Sequence, residues 1–357
     1  MRHYCTYFDR GFLAQGLALW RSLAAKDPES VLWVLALDDF TAEVLREVGG
    51  TRLRVVTLAE AEAGDAELAA AKANRSRVEY FFTLSPCWPR WLLAKQGARA
   101  EMDRITYVDA DMFFFADPAD IFDAMDRAGA SVLVTAHRFP EWLRRFERHG
   151  KYNVGILSFR NDAAGRECLD DWRARCLEWC HDRPEEGKYA DQKYLDAWPE
   201  RLGEALLVLP DTGVNLAPWN WAGCVIRGEA GGGVRIDGGP LVLFHFARFR
   251  PVRGEEWWQS GQLEYGVMPR SLRRMIYEPY ARALLAARDE IAARRSGFDF
   301  APAPPRKGRE FWQGWPLRIV FGGEWRRVGG DFFNLRGGLG RWSGQCVATL
   351  RTIFLRR

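Results

Sequence analysis

Short, uninterrupted apolar runs that end in acidic residues constrain this chain most. The run VLWVLALDD (residues 31–39) leaves no polar face, so a strand built from it must be covered on both sides. A parallel sheet flanked by helices provides that cover. ITYVDADMFFF (105–115) has the same character, except that the strand breaks at its acidic centre; SVLVTAH, GILSF and LVLFHF are further short strand candidates. Between the runs, Leu13, Leu17, Trp20 and Leu23 share one helix face, and CLDDWRARCLEWCHD and SLRRMIYEPYARALLAARDEIAARR carry helical spacing. AEAEAGDAELAAAK (59–72) reads as a surface helix or a helix–loop pair. Strands alternating with helices predict βαβ units and an α/β fold.

The length, 357 residues, suits one α/β domain of ~250 residues with a substantial extension. Apolar residues at 48% and charged residues at 27% can build a core and exclude a disordered chain. No stretch reaches the ~20 apolar residues of a membrane span. At the N-terminus Asp9 and Arg10 interrupt any apolar signal core, so a cytoplasmic location is expected. Seven cysteines without a CxxC pair fit reduced thiols better than a disulfide framework. The proline-rich FAPAPPRKG (300–308) is the clearest linker, and there is no internal repeat. The expected organisation is a domain over 1–255, a helical extension over 256–299 and a basic, aromatic-rich segment over 300–357.

That last segment stands apart electrostatically. Residues 301–357 hold eleven Lys or Arg against three acids, a charge of +8; since the whole chain is +4, residues 1–300 carry −4. Nine aromatic residues interleave with these cations. Val347, Leu350 and Phe354 would share one face of a short helix beside Arg351, Arg356 and Arg357. Such a composition suits an anionic membrane headgroup layer, and equally an appended segment packed on the body. No recognition motif accompanies the charge, so nucleic acid is not an expected partner.

Asp109-Ala110-Asp111 is the strongest chemical signal. Two carboxylates two residues apart at a strand end can converge on a hard cation such as Mg²⁺ or Mn²⁺ if the chain turns between them. In isolation the same pair reads as two acids at a solvated strand end. Its apolar surroundings, Tyr107, Val108 and Met112 to Phe115, make an unpaired arrangement expensive. KYNVGILSF and YADQKYLDAW place an Asn-Val-Gly turn and the Asp191-Gln192 pair at two more element edges. LVLFHFARFRP ends a strand with His245, followed by Arg248 and Arg250. A lone histidine between two phenylalanines is usually a core residue. Cys176 and Cys180, placed on one helix face, match no zinc spacing and read as buried thiols. Trp219 and Trp221 suit either a sugar face or the core.

Taken in order, CTYFDRGF, VDAD, NVGILSF, ADQKYLD and the His245 strand resemble glycosyltransferases of the A-type fold, most closely family 8 and its bacterial relatives, over roughly residues 1–255. The resemblance implies a single Rossmann-like nucleotide-sugar-binding domain with a mixed, mostly parallel sheet. It implies Mn²⁺ or Mg²⁺ held by Asp109, Asp111 and His245 on the diphosphate of a UDP-sugar. It places the nucleoside on Thr6, Tyr7, Phe8 and Asp9, with Ala110 and Arg250 beside the donor, and Asp191 and Gln192 beside the sugar. The implied reaction transfers a sugar, with retention, to a saccharide or lipid-linked acceptor in cell-surface polysaccharide synthesis. Three departures stand out. Lys193 follows the Asp-Gln pair where a second acid is frequent, and Arg250-Pro251 comes one residue early, with no glycine after His245. The Asp-x-Asp also resembles that of haloacid-dehalogenase phosphohydrolases, although Phe113 stands where those carry Thr or Val. A non-catalytic sugar-nucleotide or glycan-binding protein is the remaining alternative, and the basic tail at 301–357 suggests a peripheral place at the inner membrane face.

Overall fold

The computed structural model describes residues 1–98, 101–253, 257–266 and 268–301, together with the backbone of strands Leu317–Phe321, Glu324–Val328 and Phe332–Asn334. The helix expected around Val347, Leu350 and Phe354 lies outside the described residues. Among the described residues no helix is long and apolar enough to cross a membrane.

The apolar runs form the sheet. Strands β1 (His3–Phe8), β2 (Val31–Ala36), β3 (Leu53–Thr57) and β4 (Arg104–Val108) run parallel in the order β3-β2-β1-β4. Beyond the short β5 (Met112–Phe114), strands β6 (Val132–Ala136), β7 (Tyr152–Arg160) and β8 (Leu206–Leu209) extend the sheet to seven strands, with β7 antiparallel between β4 and β6. The sheet is therefore mixed and mostly parallel.

Its two faces bury different residues of the same strands, as the period of two requires. On one face Tyr4, Leu32 and Val108 meet helices α1 (Leu13–Lys26), α2 (Asp39–Val48) and the late helix Glu278–Arg294, through Leu17, Val44 and Ile291. On the other face Cys5, Leu35 and Tyr107 meet the long helices Arg77–Lys95 and Ala163–Glu178, through Leu84, Trp88 and Trp172. Helix starts follow capping chemistry. Asp38 accepts from Thr41 N–H, and Ser76 and Glu79 form a reciprocal capping box at the head of the long helix.

Residues 59–72 resolve into the second of the two expected forms: two short helices, Leu58–Glu62 and Ala66–Ala73, flank Gly64. SLRRMIYEPYARALLAARDEIAARR is not one uniform α-helix. A π-turn over Arg273–Tyr277 precedes the helix that starts at Glu278, because Pro279 has no N–H with which to continue the ladder. Cys180 lies beyond its helix, which ends at Glu178, yet both Cys176 and Cys180 are buried free thiols.

A second, smaller layer completes the site. Strands β9 (Val214–Leu216), β10 (Ile226–Gly228), β11 (Val234–Ile236), β12 (Gly239–Pro240) and β13 (Leu243–His245) follow in sequence; β13 lies between β5 and β9, while β10 to β12 form their own sheet. Next come β14 (Arg250–Arg253) and β15 (Trp257–Gln259), which pair with each other. The late strand Phe332–Asn334 joins β15.

Gly165 offers a direct test of the close helix–strand packing. A Cβ there would stand 2.2 Å from the Arg160 carbonyl oxygen, whereas one at the exposed Gly223 would meet nothing within 4 Å. Gly165→Ala should lower the unfolding free energy by about 2 kcal/mol, and Gly223→Ala should change it by less than about 0.5 kcal/mol. Urea denaturation of the two variants measures both values.

Candidate metal and donor site

The chain turns sharply after β4. Met112 N–H bonds back to the Asp109 carbonyl at 3.1 Å, so the two carboxylates of Asp109 and Asp111 flank a tight bend rather than an extended strand. Asp109 N–H is tied to the Gly155 carbonyl on β7 at 3.0 Å. Strand β5 then pairs antiparallel with β13, with Met112 opposite His245, and Phe246 N–H bonds the Asp111 carbonyl at 2.9 Å. That register carries His245 to the aspartates.

One ligand atom from each of Asp109, Asp111 and His245 lies within 4.8 Å of the others. His245 Nε2 is 3.2 Å from Asp111 Oδ1 and 3.6 Å from Asp109 Oδ2. The side chains grade from 29% exposed at Asp109 through 17% at Asp111 to 7% at His245, so the cluster opens toward solvent on the Asp109 side. Burial disfavours the imidazolium, but the two carboxylates outweigh it and raise the His245 pKa. Burial raises that of Asp109 and Asp111 adds to it, against His245 and the Tyr107 hydroxyl, which donates to Asp109 at 2.7 Å. Two carboxylates and an imidazole on one opening fit a divalent cation with mixed oxygen and nitrogen ligands.

His245 has little room to move. A Cβ at Gly155 would stand 2.7 Å from its Nδ1, and Trp219 meets it edge to face at 5.1 Å. Trp219 is buried and makes the other side of this clamp.

Asp191 and Gln192 arrive on a different loop, just after Ala190 at φ +46°. Trp172 Nε1–H donates to the Asp191 carbonyl at 2.9 Å. The Asp191 carboxyl is buried, and burial pushes its pKa up to about 7; the Ser85 hydroxyl pulls it down, and the Asp109 charge pushes it further up. Gln192 Oε1 accepts from Asn153 Nδ2 at 3.3 Å, and Gln192 Nε2 donates to the His149 carbonyl at 3.1 Å. Asn153 is the hub: its Oδ1 accepts from Gly155 N–H and from Asn215 Nδ2, both at 2.9 Å, and its Nδ2 also faces His137 Nε2 at 3.1 Å. Asn153 thereby connects the Asp-Gln loop to the strand that holds Asp109 and confines His245.

The end of β1 contributes unevenly. Tyr7 reaches the site: its hydroxyl lies 2.9 Å from Ser85 Oγ, and Asp191 and Asp109 both act on it. Thr6 is fully buried, and its hydroxyl has no hydrogen-bond partner among the described residues. Phe8 turns its ring into the core over Gly16. Asp9 accepts from Gly11 N–H at 2.8 Å and pairs with Arg77. Ala110 is buried between the aspartates, and Arg250, on β14, points its Nε at Gln259 Oε1, 3.5 Å away. Sequence reading gave no role to His137, Ser85 or Asn215. Asn215 carries a local signal only in its backbone, φ +57°, which the sequence does not display.

No family model matches the chain. It is 36% identical to the protein YfnF of Bacillus subtilis (strain 168) over 258 residues, covering 70% of this chain and 82% of YfnF. It is 32% identical to YfnD of the same organism over 306 residues, covering 84% of this chain and 93% of YfnD. Among solved structures it is similar to the galactosyltransferase LgtC in complex with donor and acceptor sugar analogs, with a TM-score of 0.50, 15% identity, and coverage of 80% of this chain and 95% of that one. The chain therefore belongs to the family of YfnF and YfnD, and its fold is that of the A-type glycosyltransferases.

Proposed function

We propose that the chain is a metal-dependent glycosyltransferase that moves a sugar from a UDP-sugar to a saccharide or lipid-linked acceptor, with retention, in cell-surface polysaccharide synthesis. The convergence of Asp109, Asp111 and His245 carries this reading. Mn²⁺ accepts an imidazole beside carboxylates more readily than Mg²⁺, which favours oxygen alone. When bound, such a cation neutralises charge on a diphosphate leaving group. Asp109 and Asp111 supply the negative charge that holds it, and His245 fills the third position from a fixed ring. The fold similarity to an enzyme crystallised with donor and acceptor sugar analogs supports the donor and acceptor assignment.

In this reading the end of β1, from Thr6 to Asp9, holds the nucleoside, with Ala110 beside it. The Arg250 guanidinium takes a diphosphate oxygen, a geometry suited to its fork of donors. Asp191 and Gln192 position the sugar, since Asn153 and Ser85 already fix them. The basic segment 301–357 keeps the site near an anionic inner leaflet, where lipid-linked acceptors lie.

Two experiments follow. With Mn²⁺, UDP at ~100 times its dissociation constant should stabilise the protein by about 2.7 kcal/mol, and by much less after chelation. Gly155→Ala, which drives a methyl group into His245, should abolish the metal-dependent part. A shift that ignores Mn²⁺ would remove the metal from the reading, and a Gly155→Ala variant that keeps the metal-dependent part would remove His245 from the ligand set.

Asp191 supplies a pH signature for the ligand-free protein. Its carboxyl holds a proton in the folded state to about pH 7 but releases it near pH ~4 when unfolded. The folded state thus binds more protons across that window, so the contribution to stability is complete below pH ~4 and is lost as pH rises to about 7. Asp191→Asn should flatten the fall, which reaches up to about 1.4 kcal/mol per pH unit for one group. Urea unfolding of wild type and variant between those pH values should differ in slope; parallel curves would show that Asp191 is ionised throughout.

A further inference from the structure

A row of partly exposed rings runs beside the metal cluster and has no role in the donor reading. It starts at Tyr265, which lies 6.3 Å from Trp219, the residue that packs on His245. It continues to Phe146 at 6.4 Å, to His149 at 6.2 Å and to Tyr189 at 4.5 Å. All four rings are neither buried nor fully exposed, and Trp142, 43% exposed, flanks the row near Gly266. The far end is fastened to the Asp-Gln loop. Gln192 donates to the His149 carbonyl, and Lys193 Nζ to the Glu147 carbonyl at 3.1 Å. One end of the row therefore touches the metal-site clamp and the other the loop beside the sugar.

The cations along this row are not all neutralised. Arg144 pairs with Glu141, Arg248 with Glu264 and Lys193 with Asp196, and the Tyr189 hydroxyl donates to Asp182. Arg145 instead lies over the Phe146 ring at 4.7 Å and donates to the Trp142 carbonyl, while Arg148 Nε donates to His149 Nε2 at 3.1 Å. Neither Arg145 nor Arg148 has a carboxylate partner among the described residues, and both are exposed. Because His149 Nε2 accepts from Arg148, the imidazole is neutral with its proton on Nδ1, and it acts as a flat ring rather than a charge.

Ring faces bind the apolar side of a sugar, and exposed guanidinium groups bind carboxylate or phosphate in forked geometry. We propose that the row Tyr265–Phe146–His149–Tyr189 is the acceptor subsite, and that it takes a saccharide bearing negative charge, with Arg145 and Arg148 as the charge-reading residues. The inference rests on the transferase reading, because the row is called an acceptor site for its place beside the metal cluster and the Asp-Gln loop. Lys193 fits the same picture, since its bond to the Glu147 carbonyl braces the 3₁₀ helix Glu141–His149, which carries both arginines.

The full-length protein is titrated with three trisaccharide probes by saturation-transfer NMR: neutral maltotriose, trigalacturonate and a phosphorylated maltotriose. An anionic probe should bind about tenfold more tightly than the neutral one, and the better of the two identifies carboxylate or phosphate as the recognised group. The preference should shrink as salt rises and vanish in the double variant Arg145→Glu, Arg148→Glu; Tyr189→Ala should weaken all three probes together. Equal binding of the three probes, no binding up to about 10 mM, or a preference that survives both high salt and the double variant would overturn the proposal. The salt series uses the unmodified protein, so it decides the matter even if the variant fails to fold. Binding of Mn²⁺ with UDP to the same preparation is followed separately. Its absence beside an intact anionic preference removes the transferase reading and leaves a saccharide platform, whereas its presence without any preference removes the subsite alone.

Discussion

The antiparallel pairing of β5 with β13 is the contact on which the site depends. Asp109 and Asp111 come from a bend that continues directly into β5, and His245 is the last residue of β13. With Met112 opposite His245, the imidazole falls beside Asp111. A slip of one residue would put His245 on the opposite face, because side chains alternate along a strand. Phe113, Phe244 and Phe246 pin the register by packing with Tyr277 and Tyr280 of the late helical region. The C-terminal helices thus contribute to the chemistry at a distance: they hold the sheet that holds the histidine.

Around that pairing, like charges are brought together at a cost. Two carboxylates and a third, Asp191, act on one another in a pocket that opens to solvent on the Asp109 side, and the raised pKa values of Asp109 and Asp191 express the cost. A divalent cation relieves it by supplying the opposite charge. The scaffold resists the alternative of letting the groups drift apart. Gly155 and Trp219 close on His245 from two sides, and Asn153 uses both ends of its amide to connect β7, Asn215 and Gln192. A buried hydrogen-bond network of this kind helps to keep a charged site in one geometry.

Much of this was legible in the sequence, for identifiable reasons. Continuous apolar runs marked β2 and β4 because strands covered on both faces leave no polar register to misread. The acids of VDAD stood out for lying inside such a run, and His245 for ending another. Other features had no local signature. Nothing in MFFF or LFH tells which strand pairs with which, so the meeting of Asp111 and His245 rested on resemblance until the fold was known. At the end of β1 the sequence does not display orientation: alternation sends Tyr7 to the site and Phe8 into the core. Ala190 and Asn215 take positive φ angles that side-chain identity does not announce. Pro279 was visible, yet a proline marks a break in the ladder without specifying that the turn before it is a π-turn. The ring row was hidden for a different reason, since Phe146, Tyr189 and Tyr265 are far apart in sequence.

The central claim is that Asp109, Asp111 and His245 hold one divalent cation. Electron spin echo spectroscopy of bound Mn²⁺ tests it most directly, because a coordinated histidine nitrogen modulates the echo at short range. The account predicts nitrogen modulation in the Mn²⁺–UDP complex of the wild-type protein and its loss in His245→Ala. Tightly bound Mn²⁺ without nitrogen modulation, or modulation that persists in His245→Ala, would contradict it.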